Sequence, residues 1–226
     1  MDHIRKLGFT LIELLSVIAV VGVLMGILVI GVGKVRDKAN QVKCVANIRE
    51  LGKGIMLFAN EHYNRLPPSE EGVSSGSYPG PTFGTEVIAF RSTWADYIAT
   101  VYLDEAYDVL ICPARPEEWT AQSRGKYSDY GFNQRLSPVE GEYRKGVPLV
   151  TIPDPSNTVL LADSKHATLN AGMFRLLSYT DVDPRHAGST ANVLFVDQHV
   201  ESIELNLASP PADDEPLGRG QFVPNF

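Results

Sequence analysis

The hydrophobic pattern of this chain changes period after residue 33. Residues 9–33 form an almost unbroken apolar run in which Glu13 is the single charged side chain. Beyond it, apolar residues recur at three- and four-residue spacing: Val35, Ala39, Val42, Ala46, Ile48, Leu51, Ile55 and Phe58, with His62 in the same series. That spacing predicts one face of an amphipathic helix. No proline interrupts before Pro67 and Pro68, which are expected to end it. Together the two patterns predict one continuous helix of roughly 55 residues, about 80 Å at 1.5 Å per residue. Its first part is long enough to cross a bilayer, which takes about 20 apolar residues. The second part, residues 34–66, is expected to continue it under a globular domain.

The periodicity stops over residues 67–85, a Pro-, Gly- and Ser-rich stretch that reads as a loop. Residues 92–103 predict a short helix with Trp94, Tyr97, Ile98 and Val101 on one side, Trp94 being a core anchor. The remainder predicts short strands at 109–111, 127–132, 149–152, 158–162 and 173–179. Two further runs, 191–197 and 200–205, meet across a Gln198-His199 corner and predict an antiparallel hairpin. Residues 208–226 are rich in Pro, Asp and Gly and are expected to be a flexible tail. No internal repeat is present. The expected fold class is α+β: a long N-terminal transmembrane and amphipathic helix packed on a C-terminal antiparallel β-sheet. The globular domain is expected over residues 67–207, with one core.

Charge divides the chain along the same line. Residues 1–38 hold five basic and three acidic side chains, and the remaining 188 hold 15 basic and 24 acidic. An acidic outer domain argues against nucleic acid as a partner, since such proteins usually show a basic face.

The N-terminal residues carry the sharpest chemical signal. A lone carboxylate in a membrane-length apolar helix costs several kcal/mol, so Glu13 is read as functional. Before it stands a short leader, residues 1–8, with Arg5 and Lys6. A secretory signal has its small-residue cleavage site after the apolar core; here Gly8 precedes the core. The order Gly8-Phe9-Thr10-Leu11-Ile12-Glu13 behind a basic leader resembles the N terminus of type IV pilins and type II secretion pseudopilins. The resemblance implies that prepilin peptidase cuts between Gly8 and Phe9 and methylates the new amino terminus of Phe9. It implies that Glu13 pairs with the N-terminal amine of Phe9 on a neighbouring subunit, and that a wrong axial register leaves that charge unpaired. The expected partners are prepilin peptidase, other pilin or pseudopilin subunits, and an inner-membrane assembly platform. The expected location is the inner membrane, single-pass, with the C-terminal domain in the periplasm or on an extracellular filament. Gly22 and Gly26 form a small-xxx-small pair that permits close helix approach in lipid; ordinary glycine use in a membrane helix is the plain alternative.

A second resemblance covers most of the rest. Cys44-Val-Ala-Asn47, Cys112-Pro113, Ser128-Asp-Tyr-Gly-Phe-Asn133 and Leu160-Leu-Ala-Asp163 are similar to elements of pilin-like proteins of planctomycetes and verrucomicrobia, which end in a His-x9-Asp-Gly element. Here that element reads Arg185-His186, ten residues, then Asp197-Gln198, so spacing and glycine both depart from the pattern.

Cys44 and Cys112 are the only cysteines. In the oxidising compartment that the resemblance implies, an even count favours a disulfide between them; two buried free thiols are the alternative. His186, Asp163, Asp197 and Ser189 invite a triad reading, but no Gly-x-Ser-x-Gly elbow surrounds any serine and Ser164 lacks flanking glycines. Asp181, Asp183, His186 and Asp197, with His199, are the candidate metal ligands, oxygen-rich sets suiting calcium, yet no calcium-loop motif is present. The plainer expectation is that His186 and Asp197 hydrogen-bond the turns bounding the last hairpin. No catalytic residue, metal or cofactor is assigned. The expected role is a structural filament subunit, not an enzyme. The alternatives are a minor or initiating pseudopilin and a membrane-anchored periplasmic enzyme or binding module.

Overall fold

A computed structural model of the chain describes residues 10–69, 93–115, 128–137, 139–140, 143–144, 146–168, 171–172, 175–176 and 181–205. The expectations for the leader, for Phe9, for most of the loop at 67–85 and for the tail fall outside these residues. The chain divides into two compact units between Ala39 and Asn40.

The first unit is helical. Helix α1, Leu11–Glu61, starts at a capping box: Thr10 Oγ1 accepts from the Glu13 N–H at 3.4 Å, and Glu13 Oε2 accepts from Thr10 N at 2.8 Å. Such a box satisfies donors that a helix start otherwise leaves open. Every side chain from Thr10 to Gly26 is exposed, including Leu11 at 87% and Val23 at 65%. Among the described residues no helix is long and apolar enough to cross a membrane. The side chains of residues 27–32, in the middle of the expected span, lie outside that set.

The second unit is built on the C-terminal part of α1. Cys44, Ile48, Leu51, Ile55 and Phe58 are buried, spaced four, three, four and three residues apart. This corrects the predicted stripe. Val42 and Ala46 are exposed, as are Val35 and Ala39. The step from Ala46 to Ile48 turns the helix by about half a turn at 3.6 residues per turn, so the predicted series joined two different faces. The helix also ends at Glu61, before the prolines. Tyr63 and Asn64 both take φ of 56°, and the Asn64 N–H closes back on Ala59 O at 2.8 Å. Left-handed residues of this kind stop a helix by capping its last carbonyls.

Helix α2, Trp94–Tyr102, begins at Thr93, whose Oγ1 accepts from the Asp96 N–H, and it buries Trp94, Ala95, Ile98 and Ala99. Two expected strands are instead short 3-10 turns, Tyr107–Leu110 and Leu149–Thr151. In each the apolar residues that suggested a strand pair with no strand among the described residues, and i→i+3 bonds close locally: Val109 N to Ala106 O, Ile152 N to Leu149 O.

Among the described residues the strands in chain order are β1 Tyr130–Asn133, β2 Val139–Glu140, β3 Tyr143–Arg144, β4 Val159–Asp163, β5 His166–Thr168, β6 Ala171–Gly172, β7 Arg175–Leu176, β8 Thr190–Phe195 and β9 Val200–Glu204. Five form the main sheet in the order β7-β1-β4-β8-β9. Strands β1, β4, β8 and β9 each run antiparallel to the next in the sheet, and β7 adds to β1 in parallel. The pairs β2-β3 and β5-β6 stand apart from it. The predicted strand at 173–179 is represented by β7, the rest of it lying outside the described residues.

Both faces of the central strands are covered. One face, with Leu160, Leu161, Leu194 and Val196, joins the stripe of α1 together with Trp94, Ile98, Leu110, Tyr130 and Phe132. The other buries Val159, Ala162, Ala191, Val193 and Phe195 with Val182 and Leu176. Leu160 and Leu161 reach the same side because the β4–β8 register shifts between Val159 and Leu161. Gly52 brings α1 close to the sheet: a Cβ there would lie 2.6 Å from Leu194 Cδ2 and from Gln198 Oε1. The fold is the expected α+β arrangement, and the last two strands form the expected hairpin.

Candidate functional site

Two places in the chain concentrate chemistry. The first is the N terminus. Glu13 Oε2 also accepts from the Thr10 hydroxyl at 2.7 Å, so a single carboxylate oxygen takes both donors of Thr10. The Thr-x-x-Glu signature of this box stands in the sequence at Thr10 and Glu13. It was masked by reading Glu13 only as a membrane charge. Gly8 and Phe9 lie outside the described residues.

The second is a buried polar cluster where α1 meets the sheet. Cys44, on α1, and Cys112, just past the first 3-10 turn, are joined, with an S–S distance of 2.08 Å and Cα atoms 5.2 Å apart. Asn47, one helical turn beyond Cys44, donates Nδ2 to Ile111 O at 2.9 Å and so holds the segment that carries Cys112. The Cys112 N–H donates to Asp129 Oδ2 at 2.8 Å. The Tyr130 hydroxyl donates to Cys44 O at 3.4 Å. Burial, with the Asp163 carboxylate nearby, pushes that hydroxyl well above the usual phenol range, which keeps it a donor.

The sheet register sets Tyr130 opposite Asp163, bringing the end of β4 to the same cluster. Asp163 Oδ2 accepts from the Asn192 N–H at 2.6 Å and lies 3.1 Å from His186 Nε2. The same ring nitrogen is 2.8 Å from Asn192 Nδ2 and 3.8 Å from Cys112 Sγ. Asp163 is fully buried, and its Oδ1 has no hydrogen-bond partner. Beside it, Arg185 pairs through Nε with Asp183 at 3.1 Å and donates to Ser164 O. Burial raises the Asp183 carboxyl above its usual range, against the opposing pull of Arg185.

The sequence candidates sort out as follows. The four oxygen-rich metal candidates are not gathered. Asp183 faces Arg185, and Asp197 accepts from His199 Nδ1 at 2.5 Å on the exposed hairpin turn. His186 turns inward to Asp163. Among the described residues the metal-capable atoms that lie within 4.8 Å of one another are those of Cys44, Cys112 and His186. The triad is not formed either: Ser164 Oγ is buried without a partner, and Ser189 sits in an exposed turn at φ 56°. Asp197 does brace its turn, accepting from the His199 N–H at 3.1 Å. His186 brackets its own turn only through the backbone, by exchange with Thr190, while its ring serves the cluster. Asn192 is the cluster residue that sequence reading missed. An asparagine inside an otherwise apolar strand is the signal that marks it.

On the opposite side of α1, a groove of about 470 Å³ is lined by Arg49, Lys53, Met56, Leu57, Asn60 and Gln198. Its lining combines the apolar Met56 and Leu57 with the basic Arg49 and Lys53.

Comparison with known proteins bears on part of the chain. Residues 4–29 match the prokaryotic N-terminal methylation motif. The chain is 32% identical over 75 residues to a type II secretion system core protein G of Aeromonas hydrophila, covering 33% of this chain and 52% of that protein. It is 32% identical over 71 residues to the core protein G of Pectobacterium carotovorum subsp. carotovorum, covering 31% of this chain and 45% of that protein. The chain thus spans about half the length of the curated relatives it matches. No solved structure gives a significant match. The motif is that of pilins and pseudopilins, and it points to a membrane-anchored or envelope location.

Proposed function

We propose that this chain is a structural subunit of a type II secretion-like pseudopilus or of the related type IV pilus. Prepilin peptidase removes residues 1–8 and methylates Phe9. The apolar part of α1 holds the subunit in the inner membrane in a single pass, with the domain from Asn40 onward on the periplasmic side. From there the subunit joins its neighbours through the helix on the assembly platform. The observation that carries this reading is the first unit itself. Every described side chain from Thr10 to Gly26 is exposed, nearly all are apolar, and one is a carboxylate. Such a surface is unstable in water and needs lipid or other helices around it. The methylation motif and the similarity to the two secretion proteins support the same class. The finer placement with the His-x9-Asp-Gly pilin-like proteins rests on the meeting of Cys44, Asn47, Cys112, Tyr130, Asp163 and His186 in one cluster. These residues belong to segments far apart in the chain.

The capping box sharpens the test. Gln fills the same box position as Glu, so Glu13→Gln keeps the helix start and removes only the charge. Glu13→Ala removes both. With Thr10 retained after cleavage, the charge is what the neighbouring Phe9 amine requires. Glu13→Gln is therefore expected to accumulate in membranes, cleaved at Phe9 and folded, yet enter sheared filaments poorly. N-terminal peptide mass and crosslinking between adjacent helices read this out. Filament entry at the wild-type level for Glu13→Gln, with loss for Glu13→Ala, would assign Glu13 to capping alone and remove the pairing from the reading.

A further inference from the structure

We propose that the Cys44–Cys112–His186–Asp163 cluster is a redox-gated site for a thiophilic divalent cation, zinc above all, which it takes when the disulfide is open. The ligands gathered are two thiolates and an imidazole, each a common zinc ligand, with the Asp163 carboxylate beside the imidazole. At metal–ligand distances of about 2.0–2.3 Å, neighbouring ligands of a tetrahedral site lie roughly 3.3–3.8 Å apart. His186 Nε2 already stands 3.8 Å from Cys112 Sγ and 3.1 Å from Asp163 Oδ2. The sulfurs of Cys44 and Cys112 and this nitrogen lie mutually within 4.8 Å. The two sulfurs, bonded to each other in the oxidised chain, separate on reduction toward the spacing a metal requires.

A second observation points to a ligand independently. Asp163 is fully buried, yet its Oδ1 has no hydrogen-bond partner. A buried carboxylate oxygen left unsatisfied is costly, and positive charge bound at His186, whose ring faces the same carboxylate, offsets that cost. The second shell is also in place. Asn192 N–H holds the Asp163 carboxylate that faces His186, and the Cys112 N–H is tied to Asp129, so one ligand and the group that orients another are held in place.

The chemistry balances. A two-electron reductant, a dithiol or a phosphine, opens the S–S bond, and each sulfur takes a proton. The dithiol closes to its own disulfide, or the phosphine becomes its oxide with oxygen from water. Zinc then displaces both thiol protons to solvent and bonds the two thiolates.

The test uses the full chain in detergent, reduced with a phosphine under anaerobic conditions and titrated with Co2+ as a spectroscopic probe. One equivalent per chain is expected to bind with thiolate-to-cobalt charge-transfer absorption, and Zn2+ is expected to displace it. The oxidised chain should show no such band. His186→Asn keeps both thiols and is expected to bind at least tenfold more weakly. If reduction alone unfolds the domain, Zn2+ should restore its near-ultraviolet circular dichroism and raise its melting temperature. Reduced, folded protein that shows no charge-transfer band overturns the proposal. So does a His186→Asn variant that binds as tightly as the parent, or a reduced, unfolded chain that Zn2+ fails to restore.

Discussion

Gln198 occupies the turn between β8 and β9 at φ 77°, a left-handed conformation that glycine adopts freely and other L-residues do not. A glycine at this position would adopt the same backbone without that strain. Left-handed backbone costs an L-residue about 1–2 kcal/mol, against roughly 0.5–1 kcal/mol of added unfolded-chain entropy for glycine. Gln198→Gly is therefore expected to stabilise the domain by up to about 1 kcal/mol, read as a higher midpoint in urea with unchanged slope. Asp183 makes the opposite kind of prediction. Its folded-state carboxyl is raised above 3.8, mainly by burial, so the folded chain binds this proton more tightly than the unfolded chain. The contribution is fully favourable below the unfolded value and is lost as pH rises through the raised value. Asp183→Asn should remove that loss. The difference in melting temperature between variant and parent should grow in the variant's favour from pH 3 upward through the acid range. A flat difference across that range would show that the Arg185 pairing cancels the burial.

Helix α1 presents two faces over the second unit, with different work to do. Cys44, Ile48, Leu51 and Ile55 are sealed against the sheet and α2, whereas Val42 is 60% exposed and Leu57 49% exposed. Leu51→Ala is expected to cost about 2–5 kcal/mol through the lost contacts and the cavity left behind. Val42→Ala should change domain stability by less than about 0.5 kcal/mol. In the proposed filament the exposed face is the one free to meet neighbours, so Val42→Ala should reduce filament yield more than it reduces stability. Chemical denaturation alongside shear fractionation separates the two effects. Equal losses in both variants would place Val42 in the domain core instead.

For the whole molecule, the Cys44–Cys112 link closes a separation of 68 residues and ties α1 to the segment before the sheet. In the chain-entropy treatment such a loop is worth about 4 kcal/mol. Reduction in the absence of metal should lower the unfolding midpoint by a corresponding amount, and intact mass after alkylation should show two modified thiols only when reductant is present. Modification of both thiols in unfolded, unreduced protein would place the cysteines apart.

The long helix, the short helix from Trp94 and the final hairpin were legible because each rests on local physics: periodicity, apolar residues on one side of a short segment, and two apolar runs meeting across a corner. The N-terminal motif was legible for the same reason, since its residues are contiguous. The boundaries and the cluster were not. Whether Val42 or Cys44 faces inward depends on which side the sheet lies, and one helix carries apolar residues on both sides. Residues 109–111 and 149–152 have strand-like composition, but a strand needs a ladder of bonds to a neighbour, and the described residues offer these segments only single backbone bonds, Asp129 N–H to Leu110 O and Leu149 N–H to Asn64 O. The triad grouping already set His186 with Asp163, and the metal grouping set it with Asp181, Asp183 and Asp197. The sheet register and the crossing of α1 keep the Asp163 partner and add Asn192 and Cys112, residues that only the tertiary structure could bring to the same ring.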